Sequence, residues 1–293
     1  MELRVLRYFL TVVQEESISG AAARMRITQP TLSRQLQELE EELGVPLFLR
    51  GKRNRKIVLT EDGLLLRRRA EEIVALADRT QAEFGSSDES VEGDIYIGGG
   101  ETEAMRLVAQ AAKSLSQKHP HIRYHLHSGN ADDVGERLDN GLLDFGIFIE
   151  PANVEKYDYI RLPYTDTWGL LMRKDCELAA KTSITAEDLE GLPLLTSRQS
   201  MTQNMLSGWC GRNIATLNIV ATYNLLYNAS LMVDEGVGCA LCLDRLAPTG
   251  GDSNLCFRPL EPRLETHLDI VWKKNQAHSK ATKLFLEELQ KMF

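Results

Sequence analysis

The 293-residue chain has no run of apolar residues long enough to cross a bilayer, so a transmembrane helix is excluded. Its first 16 positions are broken by Glu2, Arg4, Arg7, Glu15 and Glu16 and lack the features of a secretory signal, so a cytoplasmic protein without membrane contact is expected. Cysteine is scarce. The five copies (Cys176, Cys210, Cys239, Cys242 and Cys256) are odd in number in a chain too long to need covalent staples, and buried thiols are expected. Cys239-x-x-Cys242 has the spacing of a metal or redox pair. Its context, Val237 to Leu243, reads as a buried strand, on which positions three apart face opposite sides. Among the six histidines, His119, His121, His125 and His127 crowd together. His119 precedes Pro120 at a helix exit, however, and His125 and His127 alternate on a strand with no second ligand pair at metal spacing. A phosphate loop, a Gly-x-Ser-x-Gly elbow and a His-Glu-x-x-His motif are all missing, and Gly98-Gly99-Gly100 is too short for a dinucleotide site. No enzyme, metal or cofactor is therefore expected.

What is present divides unevenly. Lysine and arginine total 34 and aspartate and glutamate 42, a net charge of −8 that taken whole argues against a nucleic-acid partner. Residues 1–84 nevertheless hold 14 basic and 13 acidic residues, a net of +1, which leaves a net of −9 for the rest. Arg50, Lys52, Arg53, Arg55 and Lys56 place five cations within seven positions. The average therefore conceals two unlike parts, and DNA is not excluded.

The first part is helical. Leu3, Leu6, Phe9, Leu10 and Val13 recur at helical spacing over residues 3–16. Ser19 is the expected cap of a short helix of small residues, Ala21 to Met25. A third helix runs from about Gln29 to Leu43, with Thr28 as N-cap and Pro30 tolerated in its first turn. Leu32, Leu36, Leu39 and Leu43 fall within about 60° on a helical wheel and mark its buried stripe. Leu47 to Leu49 and Ile57 to Leu59 flank the basic segment as a hairpin with a cationic tip. Thr60 caps a long helix, Glu61 to about Phe84, and the polar run 85–90 is the best domain boundary. Beyond it, strands alternate with helices to the C-terminus, which predicts an α/β fold of mostly parallel sheets in two lobes with a cleft between them.

A short helix, a tight turn, a helix with a polar outer face and a basic hairpin spell a winged helix-turn-helix. The second helix of such a pair enters the major groove by its N-terminal end. That end carries Gln29, Pro30, Thr31, Ser33, Arg34 and Gln37, and the glutamates at 38 and 40–42 lie beyond it. Glutamine suits adenine edges, Ser and Thr suit base or phosphate, and Arg34 suits either phosphate or guanine. Arg50, Lys52, Arg53 and Arg55 fit phosphate or minor-groove contact.

Ser17-Ile18-Ser19-Gly20-Ala21-Ala22, the run from Thr28 to Leu36, the run from Leu39 to Phe48 and Leu59-Thr60-Glu61-Asp62-Gly63 together carry a resemblance. The chain resembles the LysR-type transcriptional regulators over essentially its whole length. Weaker echoes are Ile97-Gly98-Gly99, Gly141-Leu142-Leu143-Asp144 and Glu235-Gly236-Val237-Gly238. The resemblance implies a winged helix-turn-helix over 1–60, a linker and dimerisation helix over 61–84 and a hinge over 85–93. It implies a periplasmic-binding-protein-like α/β effector domain over 94–293, with one lobe about 94–161 and 266–293 and the other about 162–265. It further implies double-stranded promoter DNA as partner, a homodimer through the linker helix, commonly a homotetramer, and a small-molecule effector in the cleft, and it admits RNA polymerase as a further partner.

By the same resemblance the cleft is lined by the turn after the first strand of the second domain: Gly99, Gly100, Glu101 and Thr102. A helix N-terminus there would seat a carboxylate. Thr102 matches the family's small hydroxyl residue, whereas Glu101 and Glu103 depart from it and would either oppose an anionic effector or point to solvent. The second lobe is expected to contribute Ser197, Arg198 and Thr202, with Arg198 able to pair with a carboxylate or with Glu101. Ile149 is expected as a wall. The effector is thus expected to be a small polar metabolite rather than a plain monocarboxylate. Two rivals stay open: a thiol sensor at Cys210, near Arg212, and a plain solute-binding module.

Overall fold

The computed structural model describes residues 1–49, 56–84, 91–202 and 204–293. They form two units, Met1–Gly85 and Ser86–Phe293. No helix among the described residues is long and apolar enough to cross a membrane.

The first unit holds α1 (Leu3–Glu15), α2 (Ile18–Met25), α3 (Gln29–Leu43) and α4 (Glu61–Phe84). Its core joins Leu6 and Phe9 of α1, Ala21 and Ala22 of α2, Leu32, Leu36 and Leu39 of α3, Leu47, and Ala70 of α4. Alanines at the α1–α2 contact let the helices cross closely. Capping sets the boundaries. Ser17, not Ser19, caps α2 by accepting the Gly20 N–H at 3.2 Å, so Ser19 lies inside the helix. Thr28 caps α3, and Gly44 ends it in the left-handed region at φ 71°. Leu43, read as core, is 38% exposed, because the stripe runs out of partners at the last turn.

Among the described residues the hairpin arms meet through a bridge between Phe48 and Leu59 and the Leu49 N–H donated to the Val58 carbonyl at 2.8 Å. They are pinned from outside. Glu40 of α3 accepts the Leu47 and Phe48 N–H groups at 2.6 and 3.2 Å, and the Ile57 N–H is donated to the Glu16 carbonyl at 3.1 Å. Thr60 caps α4 through the Gly63 N–H at 2.9 Å and donates to the Pro46 carbonyl at 2.7 Å. Gly63 is needed at this junction, since a Cβ there would lie 2.1 Å from the Leu47 carbonyl oxygen.

The second unit holds β1 (Gly93–Gly99), α5 (Met105–Lys118), β2 (Ile122–Ser128), α6 (Ala131–Asp139), β3 (Phe145–Ile149) and β4 (Tyr157–Arg173). There follow β5 (Leu194–Ser197), α7 (Arg198–Thr202), α8 (Asn204–Cys210), β6 (Ile219–Tyr223), α9 (Leu226–Asp234), β7 (Cys239–Leu243), β8 (Leu255–Pro259), β9 (Glu265–Lys273) and α10 (Lys280–Gln290). The strand order is β2-β1-β3-β9-β4-β7-β5-β6, with β8 on β4. Two parallel groups, β2-β1-β3 and β7-β5-β6, are joined by antiparallel pairings of β9 and β4. The sheet is therefore mixed rather than mostly parallel. β4 is 17 residues long, because its first part pairs with β9 in one lobe and its second with β7 and β8 in the other.

Each lobe has its own core, around Ile97, Phe145, Ile147 and Phe285 in one and around Leu170, Leu194, Leu206 and Leu241 in the other. Cys239 and Cys242 lie on opposite faces of β7, in different apolar clusters, as strand alternation requires. His125 and His127 each bind a carboxylate instead of one another, Asp94 at 2.8 Å and Asp133 at 2.6 Å.

Candidate DNA interface and effector cleft

The outer face of α3 presents Gln29, Pro30, Thr31, Arg34 and Gln37 exposed and Ser33 half-buried, with Thr28 and Thr31 sharing a hydroxyl–hydroxyl bond of 2.8 Å. In the free protein Arg34 is held at 2.8 Å by Glu38 one turn on, which raises its pKa further, and Gln37 donates to Glu41 at 2.9 Å. The Arg34 side chain is 80% exposed, so this pair is cheap to break. The glutamates thus lie off the leading end but hold its longest side chains, a link that spacing of four on a helix made readable. Arg50, Lys52, Arg53 and Arg55 lie outside the described residues. Lys56, at the edge of that segment, pairs with Glu16.

The 24-residue α4 leaves Leu65, Ile73 and Leu76 exposed at 58%, 40% and 41%. They fall within about 80° of one another on a helical wheel, an apolar stripe left uncovered among the described residues.

In the second unit, Gly100, Glu101, Ile149, Ser197 and Arg198 are brought together around one cavity of about 70 Å³ between the lobes. Gln199 and Ser200, from the same expected segment of the second lobe, also line it, whereas sequence reasoning missed Asn130, Glu150, Trp168, Tyr223, Asn224, Leu226, Cys242, Leu243 and Leu246. Most of these stand at strand ends or in the turns that follow, where the alternating pattern stops and no longer says which way a side chain faces.

Thr102 goes elsewhere. Helix α5 starts only at Met105, and the buried Thr102 hydroxyl donates to Asp166 at 2.6 Å. Asp166 is fully buried where β4 crosses between the lobes, and Arg245 reaches its other oxygen at 3.3 Å. Burial pushes its carboxyl pKa up despite the Thr102 bond. Thr202 is the last residue of α7.

Glu101 does not point to solvent. Its carboxylate accepts the N–H of Leu226, the first residue of α9 on the opposite lobe. Helix α9 has Leu225 at its N-cap position and no capping side chain of its own. Arg198 is exposed at the rim and pairs with no carboxylate among the described residues, so the Arg198–Glu101 alternative is not adopted. Glu150 pairs with Arg161, which also binds the buried Asp269 at 3.1 Å and so ties β4 to β9. The Tyr223 hydroxyl donates to the Leu241 carbonyl at 2.6 Å, and burial raises its pKa well above 10.0. Trp168 is 6% exposed, and its indole N–H has no hydrogen-bond partner. Burial likewise pushes the Cys210 thiol up, outweighing Arg212, which is itself engaged by Glu190 at 2.9 Å. A thiol shifted that way is less reactive, which removes the ground for a sensor at Cys210.

Residues 3–64 match the model of the bacterial regulatory helix-turn-helix proteins of the lysR family, and residues 88–293 match that of the LysR substrate-binding domain. The chain is 28% identical over 280 residues to the uncharacterized HTH-type transcriptional regulator YfeR of Shigella flexneri, covering 95% of this chain and 90% of that one. It is 26% identical over 282 residues to the Hca operon transcriptional activator HcaR of Escherichia coli, covering 94% and 93%. Among solved structures, full-length CbnR complexed with its target DNA superposes with a TM-score of 0.77 at 19% identity, covering all of both chains. Full-length BenM does so with a TM-score of 0.56 at 25% identity, covering 100% and 96%. With a helix-turn-helix unit and a two-lobed substrate-binding unit matched over nearly every residue, the chain belongs to the LysR family of transcriptional regulators and is not an enzyme.

Proposed function

We propose that this regulator reads promoter DNA as a homodimer joined through α4, assembles further into a tetramer in the cytoplasm, and changes its grip on DNA when a small molecule enters the inter-lobe cleft. Contact with RNA polymerase would follow at the promoter. The observation that carries this reading is the exposed polar end of α3, which has the cation Arg34 and amides but no acid in its first two turns, on a unit far less acidic than the rest of the chain. The apolar stripe of Leu65, Ile73 and Leu76 supports pairing through the linker helix.

Within this proposal, residues 1–60 are the reader, 61–84 the linker, 85–93 the hinge and 94–293 the sensor. Gln29, Pro30, Thr31, Ser33, Arg34 and Gln37 face the major groove, and Arg50, Lys52, Arg53 and Arg55 contact the backbone. Gly100, Glu101, Ile149, Ser197 and Arg198 surround the effector, with Thr102 and Thr202 supporting the two turns.

Binding to the DNA upstream of its own gene over a salt series tests the proposal. Affinity for one fragment should exceed that for random DNA by 10³-fold or more, and should fall as salt rises. Arg53→Ala should weaken binding to all sequences and flatten the salt slope by about one ion, whereas Gln29→Ala should mainly relax sequence preference. A protein that bound no fragment better than random DNA would instead behave as a solute-binding module.

A further inference from the structure

We infer that the ligand of the inter-lobe cavity is a zwitterion, an α-amino acid with a short apolar side chain, whose ammonium group is received by Glu101 and whose carboxylate is received by the start of α9 and Arg198. The inference deepens the proposed reading of this cavity as the effector site and rests on it.

A helix N-terminus presents unpaired N–H groups and a partial positive charge, which suit an anion. At α9 that seat is already taken by an anion belonging to the chain. Glu101 comes from the turn after β1 in the other lobe and accepts the Leu226 N–H, on a helix with no capping side chain of its own. The contact closes the cleft as an intramolecular latch. About 70 Å³ is left inside, roughly half the volume of a cavity that holds benzene (about 150 Å³). A ligand of metabolite size therefore has to part the latch, which frees two groups of opposite character: the Glu101 carboxylate and the α9 amides.

A plain carboxylate could satisfy only the amides. It would leave Glu101 unpaired and set a second negative charge beside it, against the guanidinium of Arg198 at the rim. A plain amine could satisfy only Glu101 and would leave α9 uncapped. A molecule carrying both charged groups on one carbon replaces both halves of the latch. Its side chain then lies against the apolar wall that Trp168 and Leu246 provide. Trp168, one of the residues that line the cavity, adds an independent sign of a missing partner, since its indole N–H is buried without an acceptor among the described residues. Once the lobes part, a carboxylate oxygen of the ligand is the acceptor it lacks.

Calorimetric titration of the full-length protein with L-alanine, L-valine and L-leucine, and with 3-methylbutanoate and isobutylamine as valine lacking one charge or the other, tests the assignment. At least one amino acid should bind, with valine at least tenfold tighter than either truncated analogue. Glu101→Gln should bring valine and 3-methylbutanoate to within threefold of each other. Arg198→Ala, at an exposed position that leaves folding unaffected, should weaken valine at least tenfold and isobutylamine little. Binding of 3-methylbutanoate as tight as that of valine overturns the inference, as does absence of binding by all three amino acids. Leu246→Trp, which fills the cavity with another apolar side chain, separates the two levels. If the monocarboxylate binds as tightly as valine and Leu246→Trp abolishes that binding, the cavity stands as the effector site and the zwitterion falls. If binding of any probe survives Leu246→Trp undiminished, the cavity is not the site and both fall.

Discussion

Glu40 sits in the acidic second half of α3, where sequence alone assigns it to a solvated face, yet one of its oxygens holds the start of the wing. Oε1 accepts the Leu47 N–H at 2.6 Å and the Phe48 N–H at 3.2 Å. Leu47 is fully buried. Glu40→Ala removes the acceptor of two main-chain donors at once. A hydrogen bond to a charged group contributes about 1.5–3 kcal/mol. The two bonds share one oxygen of a partly exposed carboxylate, so they do not add, and a loss of about 2 kcal/mol is expected. For a unit of this size that corresponds to a fall of roughly 8–16 °C in melting temperature.

The chain supplies its own control. All three tryptophans, Trp168, Trp209 and Trp272, lie in the second unit, so their fluorescence follows that unit while far-UV circular dichroism follows both. In the full-length protein, Glu40→Ala should move a helical phase to lower temperature and leave the fluorescence midpoint in place. Glu41→Ala, one position on and bound only to exposed Gln37, should cost less than about 0.5 kcal/mol. A Glu40→Ala melt indistinguishable from that of Glu41→Ala would refute the claim that this carboxylate anchors the wing.

Gly63→Ala should destabilise the same unit by about 1–3 kcal/mol, because its Cβ would lie 2.1 Å from the Leu47 carbonyl oxygen and force the backbone apart; an unshifted helical melt would contradict the overlap. Glu288 is held by Lys118 at 2.7 Å, which with Lys291 and Ser114 lowers its pKa from 4.5 to about 2. A depressed carboxyl stabilises the fold above its unfolded pKa and loses that contribution as pH falls through the folded value. Stability of the second unit should therefore drop between pH 4.5 and 2, and Glu288→Gln should flatten that slope in denaturant titrations followed by tryptophan fluorescence.

The elements legible from sequence are those whose cause is local. The bounds of α3 follow from Thr28 at one end, Gly44 at the other and a leucine every turn, and β7 from an uninterrupted apolar run. Where two local signals competed, the outcome needed the structure: Ser17 and Ser19 are equally good caps, and the one that took the role is the one from which α1 had already turned away. The family was legible for the same reason, since the helix-turn-helix is written in consecutive residues.

The site was legible only in outline. Five residues expected at the cleft line its cavity, but what each of them does there depended on partners far away in the chain. Thr102 turned to Asp166, 64 positions on, and Glu101 to the amide of Leu226, 125 positions on. Glu40 likewise found the wing instead of water. Periodicity names the face a side chain occupies, because 3.6 and 2 residues per repeat are properties of the backbone. It cannot name what faces it from across a cleft, because that is set by how β4 and β9 carry one lobe against the other, and no local pattern encodes the distance between two separately folded ends of the chain.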